Sequence, residues 1–311
     1  MKKKIGIIGT GSLGTALVYL VNKKNHQIYI YDVNQNNIDK LFQNKKIQRK
    51  ENIIPLSSMS DVINKSQYLI PCLPSAIIDI FYQTLQPIYN QQKIISVSKG
   101  FYQNSQYTIS QKVTPWLPPK NFVVFTGPTF SHEIINDEPT SAIIASKKLE
   151  TAKEVQQLFS TKYFNPVITN HVLESEYGGI LKNCYAICFG ILHHASLGMN
   201  TKSLCLDKIL QETKDFYQKN NLNGKDVYNI SFLGDLIATS YNPKSRNFQF
   251  GNRLQHHQKI TVEGELNIKP ILLLANKTKT KLPILKKTHQ IISNPNKIIL
   301  QINDLKKILL S

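Results

Sequence analysis

Apolar and polar positions change rhythm once along this chain, near residue 172. Before that point short β-branched runs alternate with helical stretches: KIGIIG, then Ser12 to Lys23, QIYIYD, Gln35 to Gln43, QYLIPCL, Ser75 to Leu85, KIISVS and NFVVFTG. Runs that are apolar almost throughout suit parallel strands covered on both faces. Their alternation with helices predicts a doubly wound α/β sheet, to which SAIIAS near Ala142 and YFNPVIT after Lys162 add two strands. Beyond Val172 the periodic segments lengthen: Leu173 to Leu192, Lys202 to Asn220, Val227 to Thr239, Glu263 to Thr278 and Ile284 to Ile292. This half is expected to be all-helical. No low-complexity linker separates the halves, so the expected division is residues 1–171 and 172–311, with a tight hinge near His171.

KIGIIGTGSLGTAL sets Gly9, Gly11 and Gly14 in a GxGxxG spacing, directly after a strand and directly before a helix. Gly9 permits the tight turn, Gly11 lets a pyrophosphate approach the backbone, and Gly14 allows close helix packing, while the helix start offers bare N–H groups to phosphates. The first half therefore reads as a Rossmann-type dinucleotide-binding domain. Asp32 ends the second strand about 20 residues further on, where an acid meets the adenosine ribose hydroxyls and repels a 2′-phosphate. NAD is the expected preference between the two nicotinamide dinucleotides.

Charge adds less than its size suggests. The 38 Lys and Arg against 20 Asp and Glu give a formal +18 over 311 residues, a balance that raises nucleic acid as a partner. The lysines are scattered, however, without a stripe of interleaved aromatics, so no specific nucleic-acid partner is expected and an anionic small molecule fits equally well. Four cysteines, Cys72, Cys184, Cys188 and Cys205, lie in apolar stretches without CxxC spacing. They read as buried thiols in a reducing compartment, with no metal site. MKKKIGIIG runs into a glycine turn in place of a long apolar segment, so it is not read as a signal peptide. No apolar run reaches the roughly 18 residues that a membrane span needs, and the expected location is the cytoplasm.

The oddest local pattern is EYGGILKNCYAICFG, Glu176 to Gly190, which is apolar enough for a buried helix yet holds Lys182 at its centre. Gly178 and Gly179 lie four and three residues before it, and helical side chains lean toward the N-terminus, so the lysine is expected to extend over a turn stripped of side chains. That would leave room for a ligand. A lysine that merely snorkelled to the surface would not explain glycines that cost about 1 kcal/mol each.

Four further stretches accompany the glycine turn: SVSKG at Ser96 to Gly100, GPTFSHE at Gly127 to Glu133, EYGGILKN at Glu176 to Asn183, and GDL with SRN, at Gly234 to Leu236 and Ser245 to Asn247. In this order the chain resembles the bacterial-type NAD(P)-dependent glycerol-3-phosphate dehydrogenases, from residue 4 to about 293, including VEG at Val262 to Gly264 and LPI at Leu282 to Ile284. The resemblance implies a Rossmann domain joined to a helical substrate domain, and interconversion of dihydroxyacetone phosphate with sn-glycerol 3-phosphate for glycerophospholipid synthesis. It implies Lys182 as the proton-transferring residue, with Lys99 and Asp235 beside it in the catalytic set. Substrate contacts would come from Lys99, Gly127, Thr129, Lys182, Asp235, Ser245, Arg246 and Asn247. Dinucleotide contacts would come from Ser12, Leu13, Lys99, Arg246 and Glu263, beside Gly9, Gly11, Gly14 and Asp32.

Physical chemistry agrees with that assignment. A hydride reaching a ketone carbon leaves an alkoxide, so a proton donor must stand within hydrogen-bond reach. Burial and a neighbouring Lys99 should each lower the pKa of Lys182, and Asp235 should oppose them. Arg246 offers the planar fork that grips a phosphate through two parallel hydrogen bonds, with Asn247 adding an amide donor. His193 and His194 point to different helix faces, and neither they nor His132 is assigned a role.

The chain also departs from the pattern it resembles. Leu13 stands where the family commonly has Trp, Val33 where it often has Arg, the Gly198 to Glu212 segment replaces a small-residue run and Thr-Arg-Gly, and NISFLGDL alters the glycine-rich approach to GDL. Two other readings stay open: a related reductase of another 2-oxo substrate, of ketopantoate or opine type, and a drifted non-catalytic NAD-binding protein. The oligomeric state is open too, with a homodimer as one outcome.

Overall fold

The computed structural model describes residues 2–103, 105–254 and 261–311. The chain forms two compact units, one of Met1–Ser98 with Tyr107–Val172, the other of Lys99–Gln106 with Leu173–Ser311. The short segment Lys99–Gln106 leaves the strand series and packs with the helical residues, which no composition shift announces.

In the first unit the strands are β1 (Lys4–Ile8), β2 (Gln27–Tyr31), β3 (Ile53–Pro55), β4 (Tyr68–Pro71), β5 (Lys93–Ser96), β6 (Phe122–Thr126), β7 (Ile143–Ala145) and β8 (Val167–Thr169). They form one sheet in the order β3-β2-β1-β4-β5-β6-β7-β8. The order reverses about β1, the mark of a doubly wound sheet. Neighbours run parallel except β6 and β7, where Val124 faces Ala145 and Thr126 faces Ile143 in antiparallel register. An antiparallel neighbour needs no helical crossover. The helices of this unit are α1 (Ser12–Asn22), α2 (Gln35–Gln43), α3 (Met59–Lys65), α4 (Ile78–Leu85), α5 (Ile109–Val113), α6 (Ser131–Ile135) and α7 (Leu149–Phe159).

The apolar runs are buried as their composition dictates. Ile5, Ile7, Leu17, Ile28, Ile30, Val123, Phe125 and Phe159 join one core, each worth about 1.5–3 kcal/mol when removed from water. Phe125 packs its ring parallel to Phe164 at 5.9 Å. The cysteine reading needs one correction: Cys184, Cys188 and Cys205 are buried, but Cys72 is half-buried, because it stands just past the end of β4.

The second unit contains α8 (Val172–His194), α9 (Met199–Lys219), α10 (Asp235–Ser240), α11 (Arg246–Asn252), α12 (Glu263–Lys277), α13 (Pro283–Ser293) and α14 (Ile298–Leu310). Its core forms around α8, with Tyr185, Phe189, Phe216, Tyr217, Ile268 and Leu285 among the buried members. The expected single helix from Val227 to Thr239 is broken. A 3₁₀ turn spans Gly224–Tyr228, a π turn spans Ile230–Gly234, and α10 begins at Asp235. Asn229 causes the break, since its Oδ1 accepts from the Ser231 N–H at 2.9 Å and the Phe232 N–H at 3.2 Å and so starts a new helical turn. No helix among the described residues is long and apolar enough to cross a membrane.

A buried carboxylate ties this unit together. Glu212 on α9 accepts from the Ile284 N–H, the Leu285 N–H at 3.4 Å and the Tyr185 hydroxyl at 2.9 Å. It thereby satisfies donors that every helix start leaves orphaned. Burial pushes its carboxyl up to about 7, against the pull of those three donors. Glu212→Ala should therefore cost about 3 kcal/mol, because each stranded buried donor costs about 1–3, and should lower the Tm by roughly 6–12 °C. The folded-state pKa lies above the ordinary 4.5, so this group's contribution is full below pH 4.5 and is lost as pH rises through 7. Thermal melts across that window should show the slope in the wild type and its loss in the variant.

Candidate active site

Residues able to do chemistry gather separately within each unit. In the first, the turn after β1 carries the three glycines of the GxGxxG spacing. Gly9 has φ of +93°, and a Cβ there would lie 2.6 Å from the Cys72 carbonyl oxygen. A Cβ on Gly14 would lie 1.9 Å from the Gly9 carbonyl oxygen, whereas one on Gly11 would meet nothing within 4 Å. The tight turn and close helix packing are thus fixed by contact, and the open side at Gly11 is where a pyrophosphate would approach. Helix α1 starts at Ser12 without a side-chain cap, leaving its first N–H groups bare for phosphate. Ser12 is exposed, and half-buried Leu13 packs on the core beneath.

Asp32 is more occupied than its position past β2 suggests. Its Oδ2 accepts from the Thr10 N–H at 2.6 Å, the Thr10 hydroxyl at 3.1 Å and the Asn37 amide at 3.1 Å, and its Oδ1 from the Asn34 N–H at 2.9 Å. The carboxylate therefore braces the glycine turn against the start of α2. Val33 beside it is 88% exposed and brings no cationic fork for a 2′-phosphate. Gly127 and Thr129 follow β6, and the Thr129 hydroxyl donates to the Gly127 carbonyl at 3.3 Å.

In the second unit Lys182, Asp235 and Lys99 come together. Lys182 Nζ lies 3.1 Å from Asp235 Oδ1, and Lys99 Nζ lies 2.6 Å from Asp235 Oδ2. Two ammonium groups share one buried carboxylate, so the set holds a net positive charge that suits an anionic ligand. Thr239 completes it: Lys182 donates to its hydroxyl at 2.9 Å, and that hydroxyl donates to Asp235 Oδ1 at 3.2 Å. Sequence reasoning passed over Thr239, although it stands four residues after Asp235 and therefore on the same face of α10.

The electrostatics follow from this arrangement. Burial lowers the pKa of Lys182, Asp235 opposes, and Lys99 lowers it further, with a net value of about 8 against the ordinary 10.5. Burial also pushes the Asp235 carboxyl up, but Lys182 and Lys99 outweigh burial and hold it below its ordinary value. The ammonium thus sits near the pH at which it can either give or take a proton.

One expectation about Lys182 needs correction. A Cβ on Gly178 would meet Ser231 Oγ at 3.3 Å and Phe232 Cβ at 3.4 Å, so the π turn fills the room there. The missing side chain lets the Ser231–Phe232 backbone approach α8 just ahead of α10.

The SRN motif sits at the start of α11. Ser245 caps the helix, its Oγ accepting from the Phe248 N–H at 3.4 Å. Arg246 is exposed and makes no hydrogen bond or ion pair with other described residues. Asn247 is largely committed: its Nδ2 donates to Asn183 Oδ1 at 2.9 Å, and its Oδ1 accepts from the Gly264 N–H at 3.0 Å. Its second amide hydrogen is the one donor left for an anionic ligand. Asn183 also donates to Glu263 Oε2 at 3.3 Å, so this network joins α8, α11 and α12 beside Lys182.

The chain is similar to known proteins over most of its length. Residues 4–152 match the model of the NAD-dependent glycerol-3-phosphate dehydrogenase N-terminus, and residues 171–301 match that of the C-terminus. A glycerol-3-phosphate dehydrogenase [NAD(P)+] from Mycoplasma mobile is 31% identical over 307 residues, covering 93% of this chain and 92% of that protein. One from Francisella tularensis is 29% identical over 310 residues, with 94% and 93% covered. Among solved structures, the glycerol-3-phosphate dehydrogenase from Coxiella burnetii superposes with a TM-score of 0.87 at 21% identity, covering 98% of each chain.

Proposed function

Because the chain belongs to the NAD-dependent glycerol-3-phosphate dehydrogenase family, we propose that it interconverts dihydroxyacetone phosphate and sn-glycerol 3-phosphate, supplying the latter for glycerophospholipid synthesis. The observation that carries this reading is the buried Lys182, held by Asp235 and Thr239 with its pKa lowered to about 8. NAD(P)H supplies the hydride when bound. Gly9, Gly11, Ser12, Leu13 and Gly14 would hold its pyrophosphate, and Asp32 its ribose, with Lys99, Arg246 and Glu263 as further contacts. Asp32 and the neutral Val33 favour NAD, since a carboxylate repels a 2′-phosphate. Residues 1–171 serve as the dinucleotide domain and 172–311 as the substrate domain, to which the segment carrying Lys99 contributes.

Lys182 donates its proton to the oxygen of the ketone during reduction and, once neutral, accepts the hydroxyl proton during oxidation. Asp235 and Thr239 hold its Nζ. The positive charge of Lys99 stabilises the developing alkoxide. Arg246 grips the phosphate, with Gly127, Thr129, Ser245 and the free hydrogen of Asn247 as further substrate contacts. A reductase of ketopantoate or opine type is not favoured, because both halves match the glycerol-3-phosphate dehydrogenase models and a carboxylate substrate does not require the SRN arrangement.

Arg246→Gln tests the phosphate grip. A charge-assisted hydrogen bond is worth about 1.5–3 kcal/mol, so the KM for the phosphorylated substrate should rise about 10- to 150-fold with kcat little changed. An unchanged KM would remove Arg246 from the phosphate site.

A further inference from the structure

The segment Lys99–Gln106 joins a unit built from residues far away in sequence, and one side chain accounts for where it settles. Asn267 on α12 is 4% exposed. Its Nδ2 donates to the Lys99 carbonyl at 3.1 Å, and its Oδ1 accepts from the Phe101 N–H at 3.4 Å. One amide thus closes on the backbone both before and after Gly100. A primary amide matches this pair of groups because it presents one donor and one acceptor side by side.

The surroundings keep the clamp in place. Phe101 is buried with its ring edge-on to Tyr177 at 6.3 Å. Lys277, ten residues along α12, donates to Gln106 Oε1 at 2.6 Å, so the segment lies along this helix. Glu263 stands four residues before Asn267, hence on the same face of α12, and accepts from Asn183 beside Lys182. This face therefore serves the neighbours of both lysines.

We propose that Asn267 is a positioning residue, which fixes Lys99 over the Asp235 carboxylate by clamping the backbone on both sides of Gly100. The inference rests on the proposed function for its catalytic consequence alone. Lys182 is faced by Asp235 and Thr239 from α10, by Lys99 from the clamped segment and by Glu263 from α12. A Lys99 held loosely presents less positive charge to Lys182, whose proton is then lost at higher pH.

Asn267→Ala and Asn267→Leu each remove donor and acceptor without adding a charge. In glycerol 3-phosphate oxidation both should lower kcat about tenfold to a hundredfold, the scale of a misplaced charged group. Both should also move the alkaline-rising limb of kcat above its wild-type position near pH 8, in the same direction as Lys99→Ala. Adding Asn267→Leu to Lys99→Ala should move the limb no further. A purely structural role would lower the Tm and leave the limb in place, and that result overturns the proposal. Hydrogen exchange gives a readout without turnover: peptides spanning 99–106 should exchange faster in Asn267→Leu, and equal exchange also overturns it. If the wild type shows no turnover while exchange still accelerates, the proposed function fails and the clamp stands.

Discussion

Replacing Lys182 with methionine is expected to lower kcat in both directions by about a hundred- to ten-thousand-fold, the range for loss of a positioned general acid–base, while dinucleotide affinity stays as it was. Methionine keeps an unbranched apolar stem of similar length and loses the ammonium. Asp235 keeps Lys99 and Thr239 as partners, so the carboxylate is not left alone in the core. The pH profile provides the sharper signature. In the oxidation direction Lys182 must be neutral, so wild-type kcat should rise with pH through about 8, the value to which burial and Lys99 lower it against Asp235. In the reduction direction it must be protonated, so kcat should fall through the same pH. Lys182→Arg should be as inactive as methionine in oxidation, because a guanidinium stays protonated. Unchanged turnover in Lys182→Met would remove its role.

A large structural effect is also expected at Gly251. A Cβ there would lie 2.0 Å from the Ile187 carbonyl oxygen, and one on Gly190 would lie 2.1 Å from the Phe248 carbonyl oxygen. Helices α8 and α11 therefore touch backbone to backbone through this pair of glycines. Real contacts of this kind need well over 3 Å, so Gly251→Ala must drive the helices apart. Overpacking of a closed contact costs about 1–3 kcal/mol, or more where the backbone itself must move. An alanine would otherwise favour a helix by about 1 kcal/mol over glycine, so a net loss isolates the contact. The Tm should fall by roughly 5–10 °C. Because α11 begins at Arg246, the KM for the phosphorylated substrate should rise as well. A Tm at or above that of the wild type would contradict the close crossing.

These effects lie at different distances from what the sequence makes legible. The strands of the first unit could be read because buried parallel strands are apolar on both faces, and the glycine turn because Gly9 and Gly14 each answer a close contact while Gly11 leaves an open side. Lys182 was legible because an ammonium in an apolar helix needs a reason. The edge strand β3 was not, since it has three residues and exposes Ile54 and Pro55. Helix α14 was missed because IILQINDLKKILL follows Pro295 with no strong cap signal. The break at Asn229 was hidden because an asparagine within a periodic segment declares itself a cap only when its side chain turns back to the backbone.

Within the site, polar residues proved harder to interpret than the charged ones. Asp32 is expected at the ribose, and its spacing gives no sign that Thr10 on one side and Asn34 and Asn37 on the other also donate to it, bracing the glycine turn against the start of α2. Asn247 was read as a phosphate donor, yet two of its hydrogen-bonding positions join α11 to α8 and α12. Motif spacing identifies which residues gather, while the partners of an amide or a carboxylate emerge only when distant helices meet. Thr239 and Asn267 belong to the same class: each is an ordinary polar residue in sequence, and each acts through a lysine placed elsewhere in the chain.

The most direct measurement mixes the purified wild-type protein with dihydroxyacetone phosphate and either NADH or NADPH and follows the nicotinamide absorbance band. Oxidation of the dinucleotide is expected, with a lower KM and higher turnover for NADH. No oxidation with either dinucleotide would contradict the proposed function.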